Sequence, residues 1–170
     1  MFGNDEALPR LFELAAGVHH AAKRRVEASL RSLDMTYPQY GALLVLAREG
    51  PLKQGCLAEL LDTDRTTMMV ICDSLERRGW AKRSADPEDR RSKIVGMLPD
   101  GQAAFETAKA LVAPVYALAS ALFADEEARI ALIPLEKLWT GLLAAPDSDG
   151  GSKGGNRRAS PPADSAGGKS

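Results

Sequence analysis

The stretch from Lys53 to Gly101, KQGCLAELLDTDRTTMMVICDSLERRGWAKRSADPEDRRSKIVGMLPDG, constrains the fold of this chain more than any other. It reads as a short helix, a sharp turn and a second helix ending in Arg77-Arg78-Gly79-Trp80. Two short strand-like runs follow, around an acidic, proline-containing tip with an arginine pair beside it. That order describes a helix-turn-helix carrying a β-hairpin wing, and an element of this kind implies DNA binding.

The spacing predicts the parts. Leu57, Leu60 and Leu61 give the first of these helices, about Lys53 to Leu61, its buried side. Asp62-Thr63-Asp64 makes the turn. Asp64 suits the N-cap of the next helix, because a carboxylate there satisfies free amides and favours the positive end of the dipole. Over Arg65 to Arg78, the positions Met68, Ile71, Cys72 and Leu75 share one face, which points inward. The opposite face holds Arg65, Thr66, Met69, Val70 and Asp73, with Thr67 at its edge. Gly79 is placed to take the left-handed conformation after the helix, with Trp80 packing back. Ala81–Ser84 and Ser92–Met97 are the two strands, joined by a turn-forming Ala85–Arg91.

Charge supports this placement. The whole chain of 170 residues has a formal net charge of only −1, so an attraction to phosphates must be local. Between Glu76 and Lys93 seven basic residues (Arg77, Arg78, Lys82, Arg83, Arg90, Arg91, Lys93) face four acidic ones. The wing is therefore expected to carry more of the affinity and the preceding helix more of the base discrimination.

Helices flank the motif on both sides. From Leu8 to Leu33, apolar residues recur at three- and four-residue steps, marking a long amphipathic helix with His19 on its stripe and His20 beside it. Thr36-Tyr37-Pro38-Gln39 matches a capping box with proline in the first turn. The helix it opens, Tyr37 to about Glu49, is expected to bury Leu43, Leu44 and Leu46 before Gly50-Pro51 ends it. A fifth helix covers Pro99 to Phe123, where Pro114 should kink or divide it. A sixth, with Asp125 as its cap and Pro134 inside, carries Ile130, Ile133 and Trp139 among its apolar residues. The apolar content of the first, fifth and sixth helices exceeds what a layer over a small winged domain needs, which suggests a helical dimer interface.

The remaining features narrow the class. In residues 146–170, 14 of 25 positions are Gly, Ser or Pro, so that tail is expected to be disordered. Two cysteines outside any CxxC pair and two histidines supply no structural zinc site. No Ser/His/Asp set, phosphate loop or placed carboxylate pair suggests an enzyme, and no cofactor is implied. The first ten residues lack a signal-peptide pattern and no apolar run is long enough to span a bilayer, which points to a cytoplasmic protein.

The wing DPEDRRSKIVGMLPDG, Asp86 to Gly101, resembles that of the MarR family of bacterial transcription regulators. Asp89 and Arg91 match its Asp-x-Arg, and Gly101 matches its helix-opening glycine. Met97 and Leu98 stand where Leu-Thr is usual. The capped second helix, the DRTT helix start and the LERRGW ending extend the likeness over about Leu8 to Ala145. The resemblance implies a mainly α fold with a small β-hairpin wing, a winged helix-turn-helix (36–98) between dimerisation helices (1–35 and 99–145). It further implies a homodimer on a palindromic double-stranded DNA operator, with the fourth helix in the major groove and the wing at the flanking minor groove.

On this reading Arg65, Thr66 and Thr67 meet bases and phosphates, and Met69 and Val70 contact thymine methyls or line the groove wall. Arg90 or Arg91 enters the minor groove, with Arg83 and Lys93 beside them, and Asp89 orients Arg83 or Arg91 by a charge-assisted bond. The resemblance also implies a small-molecule effector held near His19, His20, Tyr37 and Tyr40, and a role as a repressor released by a ligand or stress signal. Thr36–Tyr40 is similar to the branch that senses organic hydroperoxides, but Leu11 and Ala15 stand at its reactive cysteine and tyrosine places, so that mechanism does not carry over. Oxidation of Cys56 or Cys72 remains a separate route to the same release. The competing reading is a winged-helix protein-interaction module without specific DNA readout, motivated by the near-neutral charge and the apolar Met69 and Val70.

Overall fold

The computed structural model describes residues 4–89, 91–122 and 124–144. The expectations for Arg90 and for the tail from 146 onward lie outside the described residues, as does the Asp125 side chain as a cap. The chain divides into two units, the first ending at Ala119 and the second starting at Ser120.

In the first unit, α1 (Asn4–Leu30) runs into a short 3-10 turn, Arg31–Leu33, that ends on a left-handed Asp34 (φ 49°). The capping box then opens α2 (Tyr37–Glu49): Thr36 Oγ1 accepts the Gln39 N–H at 3.3 Å, and Gln39 Oε1 accepts the Thr36 N–H at 2.8 Å. Both donors would otherwise be left open at the helix start. Gln39 also donates from Nε2 to Ser74 Oγ at 2.6 Å, which ties this cap to a later helix.

After α2 comes a two-residue strand, β1 (Leu52–Lys53), then α3 (Gln54–Leu60), α4 (Arg65–Arg77), β2 (Ala81–Ala85) and β3 (Lys93–Met97). The wing is thus a three-stranded antiparallel sheet in the order β1-β3-β2, not the expected lone hairpin. Leu52 pairs with Val95 and Lys53 with Ile94, while β2 and β3 pair from Ala81–Met97 to Ala85–Lys93.

The core lies among α1's C-terminal end, α2, α3, α4, the sheet and α5 (Pro99–Ser120) as far as Val112. Leu30, Leu43, Leu57, Met68, Leu75, Val95 and Val112 are its largest fully buried apolar side chains besides Cys72. One expected member is absent: Leu44 is 40% exposed. It stands one helical step from Leu43, about 100° around the axis, and so leaves the packed face.

Gly101 shows why α5 begins where it does. A Cβ there would sit 1.9 Å from the Trp80 carbonyl oxygen, and that oxygen also accepts the Leu98 N–H at 2.9 Å. Only glycine lets the helix start lie this close to the end of the helix-turn-helix.

Pro114 does not divide α5, and in the second unit Pro134 does not divide α6 (Asp125–Ala144). Each proline removes one backbone bond, freeing the carbonyl four residues earlier. Those residues, Ala110 and Ile130, are exposed, as are both prolines. At the start of α6, Glu127 reaches back to accept the Ala124 N–H at 2.9 Å.

Candidate nucleic-acid interface

The fourth helix is fixed at its start by Asp64, which accepts the Thr67 N–H at 2.9 Å through Oδ1 and the Thr67 hydroxyl at 2.6 Å through Oδ2. These bonds, the hydroxyl first, hold the Asp64 carboxyl below the usual range. Thr67, expected to meet DNA, gives its hydroxyl proton to this cap. Met68, Ile71, Cys72 and Leu75 are buried, as their spacing predicts. On the other side Arg65 and Thr66 are exposed, with Met69 at 47% and Val70 at 58% exposure.

The end of α4 is a knot of cation contacts that sequence reasoning missed. Gly79 takes φ 67°, and the Trp80 N–H returns to Leu75 O at 2.9 Å. Arg78 lies over the Trp80 ring, 3.9 Å from its centroid, and donates to the carbonyls of Leu33, at 2.8 Å, and Asp34. It thereby joins the turn after α1 to the base of the helix-turn-helix. A cation on an aromatic face that also satisfies two carbonyls is a structural clip.

Arg83 is likewise turned inward. Its guanidinium bonds Glu76, with Nε 3.0 Å from Oε2, and also Asp73; its own N–H donates to Glu76 Oε1 at 2.7 Å. The pairing holds the Glu76 carboxyl below the usual carboxylate range, and the Glu76 and Asp73 carboxylates together hold Arg83 firmly protonated. The expected partner, Asp89, is elsewhere. It accepts the Arg91 N–H at 3.0 Å and the Ser92 hydroxyl at 3.0 Å, closing the wing's turn. The physical reason is reach: a short Asp side chain in a turn finds an amide two residues on and a hydroxyl three residues on more easily than a distant guanidinium.

At the root of the wing Asp86 is 3% exposed. Its Oδ2 lies 2.8 Å from Lys53 Nζ and its Oδ1 accepts the Glu88 N–H at 2.9 Å. Lys53, followed by that amide, lowers the Asp86 pKa, and Asp86 raises that of Lys53. This pair cross-links β1 to the hairpin. Neither residue was singled out for this role from sequence, because a two-residue strand leaves no periodic signal.

Of the seven basic residues counted around the wing, Arg78 and Arg83 are therefore occupied within the protein. Arg77, Lys82, Arg91 and Lys93 are exposed. Arg65, Thr66, Met69 and Val70 are exposed on the helix that leads into this hairpin.

The residues expected near an effector separate into two kinds. Tyr40 is buried and stacked on Phe105, with 6.0 Å between centroids; burial, then the neighbouring Tyr116, pushes its phenol up to about 12. Tyr37 is half-buried, meets His19 edge-on at 6.2 Å, and has Lys23 Nζ 5.8 Å from its ring centroid. Burial is also the main cause of its raised pKa. His20 is exposed beside His19. Cys72 is fully buried, its Sγ 3.7 Å from Met68 Sδ, and burial pushes the thiol up to about 11, which disfavours the thiolate that oxidants attack. Cys56 is half-buried in α3. Among the described residues no cluster of His, Cys, Asp or Glu is placed to hold a metal ion, and no helix is long and apolar enough to cross a membrane.

Comparison with known proteins agrees with this architecture. A family model described as the MarR family matches residues 33–92. YfiV of Bacillus subtilis, an uncharacterised HTH-type transcriptional regulator, is 36% identical over 73 residues, 43% of this chain and 46% of YfiV. The chain spans about half the length of such curated relatives. Among solved structures, BldR of Sulfolobus solfataricus, a transcriptional regulator, has a TM-score of 0.72 at 21% identity, covering 82% of this chain and 99% of BldR. A mutant of MarR from E. coli in complex with operator DNA has a TM-score of 0.65 at 22% identity, covering 84% of this chain and 99% of that one. At these identities the structural likeness establishes the fold, a winged helix-turn-helix, and the family match over residues 33–92 makes that stretch similar to the MarR family of transcription regulators.

Proposed function

We propose that this protein is a sequence-specific DNA-binding transcription regulator, a cytoplasmic repressor that occupies a palindromic operator as a homodimer and is released by a small ligand or stress signal. The observation that carries the reading is the exposed face of α4, Arg65, Thr66, Met69 and Val70, held beside a wing that exposes Arg91 and Lys93. The helix face suits a major groove and the wing arginine a narrow minor groove. The MarR of E. coli that shares this fold was captured on its operator, which favours the same use here.

Within that reading the contact residues divide by their surroundings. Arg65, Thr66, Met69, Val70, Arg91 and Lys93, with Arg90 beside them, are the DNA contacts. Thr67, Arg83 and Asp89 act one step back, by fixing the helix start, the wing's root and its turn. The exposed apolar side chains of α1, α5 and α6 support a second copy as the partner. An effector is best met at Tyr37 and His19, because Tyr40 is closed off by Phe105 and Cys72 by its burial.

Selection of bound sequences from a random double-stranded DNA pool with the full chain tests this directly. Enrichment of an inverted repeat, with affinity falling steeply as salt rises, is the expected result. A pool without an enriched repeat, or binding indifferent to salt, would overturn the reading and favour the protein-interaction module instead.

A further inference from the structure

The exposed face of α4 contains two apolar side chains that the fold gives no work. Met69 is 47% and Val70 58% exposed, whereas the helix's packing face is fully supplied by Met68, Ile71, Cys72 and Leu75. They sit between polar neighbours, Arg65 and Thr66 before them and Asp73 and Arg77 after them. Asp73 is held by Arg83. So at Met69 and Val70 the helix offers an incoming surface a methyl-bearing patch between polar groups.

We infer that Met69 and Val70 read 5-methyl groups on pyrimidines, so that the operator carries thymine, or tolerates 5-methylcytosine, at the positions facing them. The inference deepens the DNA-binding reading above and rests on it. At 1.5 Å of rise per residue, Met69 and Val70 lie about 4.5 to 6 Å along the axis from Thr66. That is one to two base-pair steps, so they meet different base pairs from those served by Arg65 and Thr66. In the major groove the sole apolar feature of a base edge is the C5-methyl group of thymine, and every other difference between base pairs is a donor or an acceptor. A thioether and a branched alkyl group therefore discriminate by the methyl alone. A 5-methylcytosine presents the same group in the same place, whereas uracil keeps all of thymine's hydrogen-bonding groups and lacks it.

The test begins with the duplex recovered by selection and replaces single thymines in each half-site by uracil. At the one or two steps read by Met69 and Val70, affinity is expected to fall about fourfold per methyl, equivalent to the roughly 0.8 kcal/mol gained on burying one CH2 group. In a duplex carrying cytosine there, methylating C5 recovers about the same factor. The Met69→Ala/Val70→Ala double variant, changed only at exposed positions, should bind the thymine and uracil duplexes equally. Equal binding of both duplexes by the unchanged protein overturns the inference, as does a preference for thymine that persists in the double variant; an enriched repeat would still leave the DNA-binding reading standing. If no sequence is enriched, that reading fails and this one with it.

Discussion

The winged domain and its helical arms use apolar residues in opposite ways. Between Val26 and Val112 most large apolar side chains have found partners within the chain, with Leu44, Met69, Val70 and Leu111 the exposed exceptions, down to complete burial at Leu30, Leu43, Leu57, Leu75 and Val95. At the start of α1 the stripe is open, with Phe12 at 48% and Val18 at 68% exposure. Along the end of α5 Tyr116 and Leu118 are about half exposed, and within α6 Ile130, Ile133 and Trp139 are uncovered to a similar or greater degree. The same periodicity in sequence thus marks a finished core in one region and an unfinished one in the other. Apolar helix faces of this extent in a water-facing position are what motivates the proposed dimer.

The largest expected effect sharpens that contrast. Leu75→Ala, at a fully buried site, should cost about 2 to 5 kcal/mol of stability, read as a lowered melting temperature at every protein concentration. Ile133→Ala, at a 70% exposed site, should instead act through association, with a loss that shrinks as protein concentration rises. Equal, concentration-independent losses in the two variants would remove the distinction.

A second contrast lies inside the winged domain, between the arginines proposed to touch DNA and those that hold the wing. Arg91→Ala should weaken operator binding and reduce the slope of log affinity against log salt by about one, since a phosphate-facing charge is lost. Arg83→Met should also weaken binding, because the ties to Glu76 and Asp73 hold β2 against α4, but with the salt slope unchanged. A shallower slope in Arg83→Met would place that side chain on the DNA after all.

The smallest effect is electrostatic. Arg83 lowers the Glu76 pKa, so the folded protein binds the proton less readily than the unfolded chain. This contribution is present above the ordinary glutamate value of about 4.3 and is lost as pH falls through the folded value. For a pair this near solvent it should remain below about 1 kcal/mol. Chemical denaturation between neutral and acid pH should therefore show a shallower acid fall in Glu76→Gln; an identical fall would assign acid sensitivity elsewhere, with the buried Asp86 the first group to examine.

Much of the fold was legible because its signals are local. The Thr36–Gln39 box, the Asp64 cap and the left-handed Gly79 each depend on residues within a turn of one another, and all three occur. So does the inward face of α4. What escaped depends on contacts between segments distant in sequence. The pairing of Lys53 with Asp86 joins a strand too short to show alternation to a wing 33 positions on. Arg78 and Arg83 read as free charge in a count, yet their partners, the Leu33 and Asp34 carbonyls and the Asp73 and Glu76 carboxylates, become visible only once α4 lies against its neighbours. The elements that carry the candidate site were therefore legible in outline, while the inward ties of Arg78 and Arg83 were not.

That the arms are completed by a second copy of the chain is most directly tested by sedimentation equilibrium of the full chain without DNA. The account predicts a dimer at micromolar concentration. It also predicts a folded monomer for a variant with Val18→Lys and Ile133→Lys, whose far-ultraviolet circular dichroism stays helical. An unchanged chain that sediments as a monomer at tens of micromolar would contradict it.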